Sequence, residues 1–83
     1  MSSTEVAARV RQLVGEMVPS GPREVGTADR LIEDLGYNSV TMIELALVLE
    51  VEFDLQDMAG EEAMDLVTVG DIETTIARLA TAG

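Results

Sequence analysis

The sequence predicts a small all-α bundle of three main helices plus one short helix, with a long loop between the first and second. Three observations predict it. Of 83 residues, 47% are hydrophobic but only 2% aromatic, so the core must be built from Val, Leu, Ile, Met and Ala, which suits packed helices. Apolar residues recur at three- and four-residue spacing in three separate stretches, the period of an amphipathic helix. No stretch alternates apolar with polar residues as a half-buried strand would. A chain of this length buries roughly 60–65% of its unfolded surface, and residues 1–83 are expected to form one domain.

The first helix is expected at about residues 4–18, where Val6, Val10, Leu13, Val14 and Met17 form one stripe. Ser2 followed by Glu5 gives a capping-box start, with Thr4 a second possible cap. Pro19, Gly21 and Pro22 stop it. Residues 19–37 then form a connection that is long for a compact domain. Its apolar Leu31, Ile32 and Leu35 are expected to be buried from a helical turn near residues 28–34 lying on the bundle.

The second helix is expected from Ser39 to Glu52, with Asn38 as its N-cap. Met42, Leu45, Ala46, Leu49 and Phe53 make one apolar face; Val40, Ile43, Leu47 and Val51 make a second, partly opposite one. Only Thr41, Glu44, Glu50 and Glu52 interrupt the wheel. Such a helix is either buried on nearly all sides or buried on one and docked to something by the other. Complete burial is hard to arrange in so small a domain, which favours docking. A short helix is expected near Glu61 to Leu66, and a last one from about Val69 to Ala80, where Val69, Ile72, Ile76 and Leu79 repeat. Thr68 and Asp71 form a variant capping box before it.

Net charge is −11 and unevenly placed. Residues 1–30 balance Arg9, Arg11, Arg23 and Arg30 against Glu5, Glu16, Glu24 and Asp29, whereas residues 31–83 set twelve acids against Arg78 alone. This field disfavours nucleic acid and anionic membrane. It serves solubility alone or attracts partners with basic patches. The longest apolar run, Leu45 to Leu49, is five residues, far short of a membrane span. The N-terminus lacks the basic start and apolar stretch of a signal peptide, and there is no cysteine. The expectation is a soluble cytoplasmic protein, monomeric given its acidic surface.

Catalysis and metal binding fit poorly. An EF-hand loop started at Asp34 puts Gly36, Ser39 and Leu45 at positions that need an oxygen ligand, glycine and glutamate. Started at Glu33, it reaches Glu44 but places Leu35 and Tyr37 at ligand positions. A serine nucleophile needs a neighbouring base, and the chain has neither histidine nor lysine. Paired carboxylates would need a cleft that four such helices scarcely provide.

The segment "DLGYNSVTMIEL", residues 34–45, remains to be explained. A hydroxyl at a helix start is ordinarily a cap, but Asn38 is the better one. Residues 34–55, "DLGYNSVTMIELALVLEVEFDL", resemble the modification site and second helix of acyl carrier proteins. In that family a glycine, a variable residue and usually an aspartate precede the modified serine, with an aliphatic residue after it; here these are Gly36, Tyr37, Asn38, Ser39 and Val40. Glu44 matches the family's glutamate five residues on, and Glu50, Glu52 and Phe53 match its later run. "LVTVGDI", residues 66–72, resembles the link into its last helix.

The resemblance implies a non-catalytic carrier. A phosphopantetheinyl transferase, using coenzyme A and magnesium, would place 4'-phosphopantetheine on Ser39, and the arm's thiol would carry acyl groups as thioesters. It also implies a partner-binding face of Thr41, Glu44, Leu47, Glu50 and Val51. That face would meet acyltransferase, ketosynthase or acyl-ligase-type enzymes bearing basic docking patches. Three departures point away from the fatty acid type and towards a free-standing carrier in polyketide or related secondary metabolism. Asn38 replaces the usual aspartate, Thr41 and Val51 stand where acids often sit, and "QDMAGEEAM" lacks a proline common before the third helix. Alternatives are a fatty acid carrier, an aminoacyl or peptidyl carrier, and an unmodified interaction module of the same fold.

Overall fold

The computed structural model describes residues 2–55 and 65–81. Helix α1, Ser3–Glu16, starts where the Ser2 side chain accepts a hydrogen bond from the Glu5 amide at 3.2 Å. It ends two residues short of the expected 18, because Met17 leaves the helix ahead of Pro19. Helix α2, Ser39–Phe53, closes on Asp54 in the left-handed conformation, φ 53°. Helix α3, Val69–Thr81, carries the expected double cap: Asp71 accepts from the Val67 and Thr68 amides at 2.9 and 3.0 Å, and the Asp71 amide donates to Thr68 at 3.1 Å. These bonds hold the Asp71 carboxyl below its ordinary pKa. Of the expected short helix near residues 61–66, residues 61–64 lie outside the described residues, as does the "QDMAGEEAM" segment.

The described residues contain no strand, in keeping with an all-α bundle. Val6, Val10, Leu13 and Val14 of α1 meet Met42, Leu45, Ala46 and Leu49 of α2 and Val69, Ile72 and Ile76 of α3 in one buried cluster. Helix α1 packs mainly on α3. Among the described residues, Arg9 pairs with Glu52 at 2.6 Å and Arg11 with Glu73 at 3.3 Å across the bundle. Arginines of the neutral half are thus set against acids of the acidic half.

The long connection is tied down at both ends. The Arg23 amide donates to Gly15 at 3.0 Å, an approach so close that a Cβ on Gly15 would lie 2.2 Å from the Arg23 carbonyl oxygen. Further on, Thr27–Leu31 runs antiparallel to the link before α3. The Leu31 amide donates to Val67, Val69 to Asp29 and Gly70 to Thr27, around a single bridge between Arg30 and Thr68. The expected turn follows at residues 31–35 and buries Leu31 and Leu35. Ile32 corrects the expectation. It is 56% exposed, because one turn cannot aim adjacent side chains 31 and 32 at the same core, and it borders a shallow groove with Val67 and Leu66.

Candidate functional site

The site is built around the start of α2. Asn38 has extended backbone, and its side-chain oxygen accepts from the Val40 and Thr41 amides at 2.9 and 3.0 Å. Thr41 reciprocates: its hydroxyl accepts from the Asn38 amide at 2.7 Å. This closed capping box uses Thr41 where sequence reasoning saw only a partner-binding position. Ser39 follows as the first helical residue, exposed, with capping done by its neighbour. Its hydroxyl therefore stands at a helix N-terminus, where the dipole and amide groups favour an attached phosphodiester.

Ahead of the serine, Gly36 adopts φ +79°, in the left-handed region that side chains disfavour. Tyr37 is only 2% exposed, and its hydroxyl donates to the Val14 carbonyl at 2.7 Å. Burial pushes the phenol up to about 12. Tyr37 therefore lies in the Gly36–Val40 segment by sequence while its side chain belongs to the core. Asp34, just upstream, is held below the ordinary carboxylate range chiefly by the Arg30 amide, 2.8 Å away, and then by the Arg30 side chain.

The outer surface of α2 continues from Ser39. Val40, Ile43, Leu47 and Val51 are 62, 42, 50 and 84% exposed, while Met42, Leu45, Ala46 and Leu49 on the other side are buried. The two apolar faces read from the sequence are thus one core face and one open face. Glu44 is exposed beside the open stripe and Glu50 half-buried at its edge. Glu52, on the same helix, is engaged by Arg9. Ile32 was missed as a surface residue, and no signal in the sequence separates it from Leu31. Among the described residues no group of three or more acids is placed to share a metal ion. Nor is any helix there long and apolar enough to cross a membrane.

The three helices of the described residues thus bring an exposed helix-start serine to the edge of an open apolar and acidic helix face. The phosphopantetheine attachment-site family matches residues 3–76. The chain is 35% identical to an acyl carrier protein of Wolinella succinogenes over 76% of this chain and 82% of that one. It is 35% identical to one of Campylobacter hominis, over 90% and 94% respectively. A Borreliella burgdorferi acyl carrier protein is 33% identical over 87% and 89%. The chain belongs to the acyl carrier protein family. As in that family, the protein is a carrier and not a catalyst, bears covalent 4'-phosphopantetheine, and works with a phosphopantetheinyl transferase and acyl-processing enzymes.

Proposed function

We propose that Ser39 is the attachment residue and that partner enzymes engage the open face of α2, in polyketide or related secondary-metabolite biosynthesis in the cytoplasm. The observation that carries this reading is the division of labour at the helix start. Asn38 and Thr41 complete the capping box, so the exposed Ser39 hydroxyl is not needed to hold the helix. The arm, once attached, supplies the thiol on which acyl groups ride as thioesters, a group that this cysteine-free chain lacks.

The open face fits enzymes that present arginine or lysine around an apolar patch: Val40, Leu47 and Val51 offer the apolar part, Glu44 and Glu50 the acidic rim. The specialised pathway is supported by Asn38, Thr41 and Val51 in places where acids are usual in fatty acid carriers. The relatives named above are acyl carrier proteins without further qualification, so the pathway rests on these three residues.

The test is intact mass after incubation with coenzyme A, magnesium and a broad-specificity phosphopantetheinyl transferase. One phosphopantetheine is expected on the wild type and none on Ser39→Ala; an arm on both proteins would refute Ser39. If neither accepts it while a control carrier does, Asn38→Asp separates a demand for a dedicated transferase from an unmodified binding module. Malonyl loading at the rate of a fatty acid pathway's own carrier would replace the polyketide reading by the fatty acid one.

A further inference from the structure

We infer that Tyr37 is a positioning residue for Ser39: its buried hydroxyl, bonded to the last turn of α1, holds in place the segment that presents the serine. The inference rests on the reading of Ser39 as the attachment residue. Val14 lies two residues from the end of α1, so its carbonyl is among the last four of the helix, which lack an ordinary intrahelical partner. The Met17 amide reaches it only at 3.3 Å while also serving Leu13 at 3.2 Å. The Tyr37 phenol reaches it at 2.7 Å. A buried phenol must find such a partner, whereas a phenylalanine would fill the same space without one.

The residue is held from its backbone as well, since the Tyr37 amide donates to the Leu31 carbonyl at 2.9 Å. One residue before it, Gly36 turns the chain through φ +79°; one residue after it, Asn38 is extended at φ −130° and caps α2. Ser39 is therefore two residues from a side chain anchored to another helix. Between anchor and serine lies only the cap. The chain has a single tyrosine, so no second phenol can replace this bond. Without it, the segment samples arrangements in which the serine is not presented, and only a fraction of molecules is competent to meet the transferase. A reduced competent fraction raises the apparent dissociation constant by its reciprocal and leaves the rate within the complex unchanged.

The test compares wild type, Tyr37→Phe and Ile72→Val, the last a core change in α3 distant in sequence from this segment. Two readouts are taken at a temperature where all three are folded. The first is amide hydrogen exchange of the unmodified proteins. In Tyr37→Phe, residues 38–41 are expected to exchange about three- to ten-fold faster relative to the α1 amides of Val10 and Arg11. In Ile72→Val that ratio stays at the wild-type value. The second is transferase kinetics: Tyr37→Phe is expected to raise KM for the carrier by a similar factor, with kcat and KM for coenzyme A unchanged. Uniformly faster exchange in Tyr37→Phe, or an unaltered KM, would overturn the inference by reducing Tyr37 to an ordinary core residue. Exchange needs no arm, so failure of Ser39 to be modified bears on the carrier reading alone and leaves exchange to decide the role of Tyr37.

Discussion

Helices α2 and α3 are similar in length and both rich in aliphatic residues, yet they use them differently. In α3, Val69, Ile72 and Ile76 are fully buried and the intervening positions are polar. Helix α2 buries Met42, Leu45, Ala46 and Leu49 and then shows Val40, Ile43, Leu47 and Val51 to solvent. The apolar residues of α3 are accounted for by folding. Four of the ten in α2 stand outside the core, and leaving them exposed costs solubility unless something covers them. Apolar content alone thus says little; the part that the core does not consume is what distinguishes α2 from α3.

The largest effect that sharpens this contrast is expected from Ile72→Ala. It should cost about 2–5 kcal/mol through lost burial and an unfilled cavity, read as a fall in Tm of about 4–8 °C per kcal/mol. The matching change on the open face, Leu47→Ala, should leave stability within about 0.5 kcal/mol of wild type. It should lower acyl delivery to a partner enzyme about ten-fold, as loss of a central apolar contact does. Glu44→Lys on the same face should reduce that delivery further and flatten its salt dependence. A Leu47→Ala protein as unstable as Ile72→Ala would abolish the distinction between the two helices.

Next in size come the caps. Asn38→Ala removes the acceptor of two amide bonds at the start of α2. The expected cost is about 1 kcal/mol in chemical denaturation. The smallest effect separates the two caps by pH. The α3 cap includes the Asp71 carboxylate, whose pKa is lowered in the folded protein. Its contribution is present above the ordinary carboxylate pKa and is lost as pH falls through the lowered one. The α2 cap is made of an amide and a hydroxyl and does not titrate. Amide exchange followed from neutral to acid pH should therefore show the first turn of α3 loosening before that of α2. Simultaneous loosening would count against this difference.

Much of this was legible because it is local. Helix periodicity placed α1, α2 and α3 to within two residues at each end, and Asn38, Ser2 and the Thr68–Asp71 pair announced their caps. The two faces of α2 followed from its spacing alone. What stayed hidden depends on residues far apart in the chain. Arg9 meets Glu52, Arg11 meets Glu73, and the Tyr37 hydroxyl finds a carbonyl 23 positions earlier. None of these pairs leaves a periodic trace. Ile32 was misplaced for a related reason: a single turn carries no stripe, so only tertiary placement decides that Leu31 faces in and Ile32 out. The Gly36–Val40 segment stood out as a pattern of residue types, whereas the inward aim of its tyrosine did not.

The pairing of Thr27–Leu31 with the link before α3 has a consequence for how the chain comes apart. It brings together two points that flank α2 in the sequence, joined at a neck by the Leu31–Val67, Asp29–Val69 and Thr27–Gly70 bonds. Below the neck, α1 and α3 lie against each other. Joining those two points limits the freedom that α2 gains if it loosens, so entropy favours its opening less than it would with these bonds broken. The helix that carries the open apolar face is thereby restrained by bonds that none of its own residues makes.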